Sequence, residues 1–407
     1  MEYIEIAKHY RKRIVEDIMP FWDQRCIDRE YGGYFTCFDR EGKLTDTDKY
    51  VWFQGRQLFV YANLYNDLEQ RSEWLDMAEH GYHFLLDHAY AGSGRWHYFL
   101  NRKGDVKTGT ISIFSDFHVL HGLAEYLKAI DCKDDVGMQV VLETYNAMEK
   151  SMFDPLFKDI YENQWSPVYI WHDMYLTCLA SVDAFTDILG SEKTKRLVDE
   201  CIDKILFWFA KDDYETVLEA VTRDNQPDLD TSTGRFVNPG HMLESIWFCL
   251  KVGYRRNDSD IIRRSLQVLR WANRIGEDQE YGGVIAYADA LGGTPKPIDW
   301  FKETDSLWHE KVWWPNAEAL ASYAWAYSLD KDQSFFDMFI RQHEFCESYF
   351  YDEQFGEWYE RLERNGQVKN SDKGTPWKCA FHLVRALINV ENRFRCIGEY
   401  MLRDECV

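Results

Sequence analysis

The sequence predicts an all-helical fold, an (α/α)6 barrel of six inner and six outer helices with short β-hairpins gathered at one end. Three observations lead to it. A segment marked by glycine and aromatic residues recurs along the 407-residue chain. Between recurrences the apolar residues return with the 3.6-residue period of a helix, and each interval holds two such helices. Those helices alternate in kind, one charged along a face and the next apolar almost all round, as outer and inner walls of a closed ring would be.

The recurring segment is clearest at Asp28-Arg-Glu-Tyr-Gly-Gly-Tyr-Phe, which returns as Asp278-Gln-Glu-Tyr-Gly-Gly-Val-Ile and as Asp352-Glu-Gln-Phe-Gly-Glu-Trp-Tyr. Weaker versions stand at 94–104, 158–163 and 216–223. Each reads as a strand, a polar turn and a return strand. A spacing of roughly 60 to 75 residues marks stacked supersecondary units. In chain order the outer helices are expected at 2–18, 72–88, 135–152, 193–210, 258–274 and 332–349, and the inner ones at 54–69, 114–130, 170–189, 241–254, 313–329 and 377–393. No stretch of linker composition breaks the series, so residues 1–407 are expected to form one domain.

Composition narrows the function classes. Aromatic residues make up 16% of the chain, which suits a wide interior or a cavity facing carbohydrate. A net charge of -22 leaves no basic excess for binding nucleic acid or an anionic membrane. The first 18 residues read as an amphipathic helix rather than a signal segment, and no long uncharged apolar run follows. A cytoplasmic, non-membrane protein is the expectation. The ten cysteines are scattered without a C-x-x-C pair and are expected to be reduced, buried thiols.

Function is expected around Arg235 to Leu250. Asn238, Pro239 and Gly240 read as loop and helix entry, with the helix starting at His241. His241 and Glu244 then share one helix face, a turn apart. Unusual polar and aromatic residues fall at the starts of the other inner helices as well: Gln54 and Arg56, Ser115 and Asp116, His172, Trp314 and Glu318, and Trp377 with His382. If the inner helices are parallel, these residues converge on one mouth, where helix N-termini favour a developing anion. His118 and His121, three apart on the second inner helix, stay open between core and site. His80, His83, His88 and His97, on or near an outer helix, are read as non-catalytic.

Four segments carry a family resemblance: Lys49-Tyr-Val-Trp-Phe-Gln-Gly-Arg56, Asn238-Pro-Gly-His-Met-Leu-Glu244, Val312-Trp-Trp-Pro-Asn-Ala-Glu318 and Gly374-Thr-Pro-Trp-Lys-Cys-Ala-Phe-His382. Through them the chain resembles the N-acylglucosamine 2-epimerase family over essentially its whole length. The resemblance implies an (α/α)6 barrel and an isomerase acting at C2 of an aldose. It implies that His241 and His382 are the two acid/base groups, that Arg56 holds a substrate oxygen, and that Glu244 and Glu318 support the histidines. Gln54, Asp116, His172, Trp314 and Trp377 are expected to contact substrate. Thr375-Pro-Trp-Lys-Cys and His172 are similar to the cellobiose and mannose enzymes. The stretch from Tyr50 to Arg56 and Trp314-Pro315 are similar to the N-acetylglucosamine branch. Both substrate classes therefore stay open, the N-acylated amino sugar ahead. No cofactor is expected, the partner is a small-molecule sugar, and a homodimer is an allowed assembly.

The chemistry explains why such residues are needed. Epimerising C2 requires removing the proton alpha to an aldehyde and returning one on the opposite face. Two imidazoles suit this because one is neutral while the other is charged near neutral pH. The enediolate between the two steps needs a fixed cation, and Arg56 is the candidate. The expected arrangement has the two histidines facing each other across one end of the barrel, with Arg56 between them and close to Glu318. A metal site is not expected, since His241 and Glu244 have no second motif of ligand spacing nearby. The Gly374 segment lacks the spacing of a phosphate loop. Glu244 and Glu318 leave a glycoside hydrolase as the enzymatic alternative. A protein-binding homologue, by analogy with the family's renin-binding members, is the non-enzymatic one.

Overall fold

The computed structural model describes residues 2–154, 157, 168–298 and 301–404. Its inner helices are Val51–Asn63, extended by π-helical turns to Leu68, then Ile113–Ala129, His172–Leu189, Pro239–Arg256, Trp313–Asp330 and Phe381–Asp404. Each packs against the next, and the sixth packs against the first, so the ring closes. The outer helices are Tyr3–Lys12 (continuing to Asp23), Ser72–Phe84 (to Ala89), Asp135–Met152, Ser191–Asp203 (to Phe209), Ser259–Gly276 and Gln333–Tyr349. The first of these lies on the last inner helix, and each of the others lies on the inner helix before it or beside it in the chain. This is the (α/α)6 barrel. Among the described residues no helix is long and apolar enough to cross a membrane.

Local sequence explains most of the boundaries. Asp134 and Asp258 accept backbone N–H bonds at the starts of two outer helices, and Asn238 does the same for the fourth inner helix. Pro239 occupies the first position of that helix, where a missing N–H costs nothing, so it begins two residues before the expected His241. The sixth inner helix begins at Phe381, four residues later than expected, which leaves Trp377 on the preceding loop.

The short strands do stand at the mouth formed by the inner-helix N-termini. Strands Lys49–Tyr50, Tyr169–Trp171 and Lys311–Val312 run directly into inner helices, and Phe236–Val237 precedes another by one residue. All ladders are antiparallel. Tyr169–Trp171 pairs with Ala220–Thr222, and Lys311–Val312 pairs with Arg361–Leu362, which pairs in turn with Val368–Asn370. The hairpin expected at 158–163 lies outside the described residues.

The sequence repeat has a physical meaning. Asp28, Asp278 and Asp352 each close the same turn with their backbones, and each carboxylate takes a buried lysine from the strand or loop before the next inner helix. The distances are 3.0 Å to Lys49, 2.9 Å to Lys311 and 3.1 Å to Lys373. An arginine from the next hairpin around the ring completes each cluster: Arg102 at 3.0 Å, Arg364 at 2.8 Å and Arg40 at 2.7 Å. The Arg40 to Asp352 pair joins the chain's first hairpin to its last and so fastens the ring's closure.

Seven cysteines are buried thiols as expected. Cys132, in the turn after the second inner helix, is only half-buried and Cys396 on the last helix is exposed; no cysteine among the described residues is paired, and Cys406 lies outside them.

Candidate active site

The N-terminal turns of the inner helices enclose a cavity of about 400 Å³. Arg56, His241, Glu244, Trp314, Trp377 and His382 all line it, so the sequence-predicted convergence on one mouth is observed for these six. Trp377, 53% exposed, stands at the rim beside Trp52, their rings 5.8 Å apart.

His241 is aimed from the first turn of its helix, where its N–H is capped by Asn238 at 3.2 Å. Its Nδ1 lies 2.8 Å from Glu219, so its carboxylate is neither Glu244 nor Glu318, the two expected to support the histidines. Glu219 joins strands Thr216–Val217 and Ala220–Thr222, which pair with Ala210–Lys211 and Tyr169–Trp171 and not with each other, so the hairpin expected at 216–223 is not formed. Burial alone would lower the imidazole pKa. Glu219 outweighs it and raises His241 to about 9. Burial likewise opposes ionisation of Glu219, but His241 and His172 hold that carboxylate down at about 2.

His382 has the opposite electrostatics. Its Nδ1 lies 2.8 Å from Glu318 and 3.7 Å from Glu244. Arg385, one turn along the same helix, donates to both carboxylates, reaching Glu318 at 2.6 Å, and Trp247 Nε1 donates to Glu318 at 2.8 Å. Burial depresses His382 most. Glu244 opposes this, while Arg56, Arg385 and His241 add to it, and the pKa falls well below the ordinary imidazole value. Both histidines thus direct Nδ1 at a carboxylate, which fixes their tautomers and leaves Nε2 for a substrate.

Trp314 packs beside both imidazoles, its ring centre 5.2 Å from that of His241 and 5.3 Å from that of His382. The imidazole centres are therefore no further apart than these two spacings together. Gly240 makes room for this wall, since a Cβ there would lie 2.4 Å from the Trp314 ring. Arg56, expected between the histidines, lines the same cavity.

Arg56 lies within electrostatic reach of Glu318, to which it was expected to be close, while the ion pair with that carboxylate is made by Arg385. The Arg56 guanidinium lies over Trp52 at 4.7 Å and Phe381 at 5.0 Å, and among the described residues no carboxylate is within ion-pair distance. Burial lowers its pKa to about 10, so it stays charged at neutral pH. This is a cation with its partner position open to the cavity.

Three predicted substrate contacts are structural. Gln54 is buried and exchanges hydrogen bonds with the backbone of Tyr34, at 2.7 and 2.9 Å. Asp116 accepts from the Trp96 N–H at 2.9 Å and pairs with Arg95 at 2.5 Å. Both fasten the hairpins to an inner helix, as Asn316 does for Val284. His172 is fully buried behind Glu219, bonded to Ser245 at 3.1 Å. Conversely, Glu219 and Arg385 were not singled out from sequence. Glu219 was visible as the one carboxylate in Val217-Leu218-Glu219-Ala220-Val221, and Arg385 as a charge one turn after His382 on an apolar helix.

Residues 33–386 match the N-acylglucosamine 2-epimerase (GlcNAc 2-epimerase) family. The chain belongs to that family. It is 30% identical to the N-acylglucosamine 2-epimerase of Mus musculus over 95% of this chain and 92% of that protein. It is 24% identical to the cellobiose 2-epimerase of Dictyoglomus turgidum over 96% and 98%. In fold it is similar to the cellobiose 2-epimerase structure from Bacillus thermoamylovorans, with a TM-score of 0.81 at 19% identity over 95% of this chain and 99% of that one. As a family member, the chain is placed among carbohydrate epimerases. The geometry also disfavours the hydrolase alternative. Glu244 and Glu318 both bind Arg385, and their oxygens lie within 4.8 Å of each other and of His382, which leaves no room for a glycosidic bond between them.

Proposed function

We propose that this family member interconverts N-acyl-D-glucosamine and N-acyl-D-mannosamine by moving a proton between the two faces of C2. The observation that carries the reading is the pair of imidazoles on one cavity beside Trp314, each tied through Nδ1 to a different buried carboxylate; Glu219 raises the pKa of His241 and burial lowers that of His382, which suits one as acid and the other as base. The similarity to N-acylglucosamine 2-epimerases over most of both chains supports the N-acylated substrate.

On the open-chain aldehyde, neutral His382 removes the C2 proton through Nε2. The C–H electrons form the C1–C2 double bond and the aldehyde oxygen becomes anionic. Arg56, with no carboxylate of its own, stabilises that oxygen. Protonated His241 then delivers a proton to the opposite face of C2, and the carbonyl returns. The enzyme is left with His382 charged and His241 neutral, and exchange with solvent restores the resting state. Glu318 and Glu219 hold the rings, Glu244 and Arg385 balance the charge around His382, and Trp314 and Trp377 wall the substrate. No step requires a cofactor.

The closed ring supports reading the chain as one domain, and its negative charge suits a small neutral substrate. A homodimer and a cytoplasmic location are part of the same reading. The experiment is product analysis after incubation with N-acetylmannosamine, N-acetylglucosamine, mannose and cellobiose. The C2 epimer of the N-acetylated sugars is expected at unchanged mass. Epimer from mannose or cellobiose alone would move the substrate to the other branch, and two sugars released from cellobiose would overturn the reaction type.

A further inference from the structure

The first two inner helices approach so closely that a Cβ on Gly55 would stand 2.5 Å from the His118 carbonyl oxygen, and one on Gly122 would stand 2.4 Å from that of Gly55. This backbone contact brings Arg56 and His118 side by side on the cavity wall. His118 is 4% exposed, and among the described residues neither ring nitrogen has a hydrogen-bond partner. Its neighbours are the rings of Trp52 at 6.0 Å and Phe381 at 5.8 Å. A buried polar group left unpaired forfeits its hydration with nothing in return, so such a side chain weakens the fold unless a ligand completes it.

Resting on the proposed reaction, we infer that His118 holds the acylamino substituent on C2 of the sugar and so sets the preference for N-acyl hexosamines over plain hexoses. Arg56 takes the oxygen at C1, and His382 and His241 take the two faces of C2. The substrate group next to all three that remains unassigned is the C2 substituent. The ring of His118, when neutral, carries one N–H donor that can reach the C=O of an acylamino group, or one bare acceptor that can take its N–H. Burial, followed by Arg56, His121 and His382, lowers its pKa well below the ordinary value, so it is neutral where the reaction runs. The aromatic rings beside it provide an apolar wall for the acyl methyl. This is a positioning and specificity role, not proton transfer.

The test compares binding of two unreactive open-chain alditols, 2-acetamido-2-deoxy-D-glucitol and D-glucitol, to the wild type, His118→Phe and His118→Gln by calorimetry, with thermal unfolding of each. The wild type should favour the acetamido alditol. His118→Phe should lose about tenfold in affinity for it, with D-glucitol unchanged and Tm equal or higher, because one hydrogen bond to the substrate is lost while two unpaired buried atoms are removed. His118→Gln should regain part of the preference. A wild type that does not distinguish the alditols, or a His118→Phe variant that keeps the preference, overturns the inference. Equal loss for both alditols with a lowered Tm also overturns it, since that marks a structural residue. Failure of the reaction itself reads differently: the wild type then gives no C2 epimer from any sugar, whereas failure of this inference leaves epimerisation intact.

Discussion

Nδ1 of His382 lies 2.8 Å from Oε1 of Glu318, yet this contact does not make the imidazole a cation. The same oxygen accepts from Arg385, and Arg56 lies within electrostatic reach, so two arginines balance Glu244 and Glu318 and burial decides the outcome. His241 faces Glu219, whose charge is answered by His241 and His172, and is raised instead. One acid and one base thus arise from two similar His–carboxylate pairs because burial and two arginines, Arg56 and Arg385, act on His382.

The pH dependence follows. Activity requires His382 neutral and His241 charged, so the rate should be flat through neutrality and fall on the alkaline side near pH 9, as His241 loses its proton. The acid limb should appear only well below pH 6.5, where His382 gains one. In Glu219→Gln the largest raising charge is gone and only Asp173 and Glu244 still oppose burial, so the alkaline limb should move down toward the neutral range. A profile of kcat/KM against pH for both proteins checks this. An unmoved alkaline limb in Glu219→Gln would detach His241 from that limb.

Arg56 is predicted to matter for rate and not for folding. Lysine keeps the charge but loses the planar fork, so Arg56→Lys should lower kcat by about 10²- to 10³-fold, the typical cost of removing one oxyanion donor. Because Arg56 has no ion pair to break among the described residues, its Tm should stay close to that of the wild type. Full activity in Arg56→Lys or Arg56→Ala removes it from the mechanism.

The repeat clusters should carry stability. In Asp278→Asn, fully buried Lys311 loses its counter-charge, and breaking a buried pair costs about 3–5 kcal/mol. Denaturant unfolding measures the loss. Burial opposes ionisation of Asp278, but Arg364 and Lys311 hold its pKa well below the usual carboxylate value. The sign is therefore that of a depressed acid: its stabilisation is present above the unfolded pKa near 3.8 and is lost only as pH falls through the lower folded value. Acid sensitivity of the wild type at pH 5 to 6 cannot come from this residue, and Asp278→Asn should be weaker than the wild type across that range.

Much of this was legible in the chain because the barrel writes itself as a period. Helical spacing and the Asp28, Asp278 and Asp352 segments located the twelve helices, and the polar residues at inner-helix starts located the mouth. What the period could not say is which way a side chain at a helix start turns. Gln54 and Asp116 sit at equivalent places to true cavity residues but turn back to the hairpins, whose backbone groups need partners. The carboxylate partner of His241 lies 22 residues upstream, and the arginine partner of Glu318 lies 67 residues downstream. Neither pairing is local, so helix-face spacing, which joined His241 only to Glu244, could not show them.

The central claim is that His241 and His382 each serve one face of C2, and turnover in deuterated water tests it most directly. Wild type should place deuterium at C2 of the product, since imidazole protons exchange with solvent between turnovers. His241→Asn and His382→Asn should each lose net epimerisation by about 10²- to 10⁴-fold. Each should still exchange the C2 proton of one epimer, and the two variants should prefer opposite epimers. Product without deuterium, both variants exchanging the same epimer, or either variant epimerising at the wild-type rate would contradict the two-histidine account.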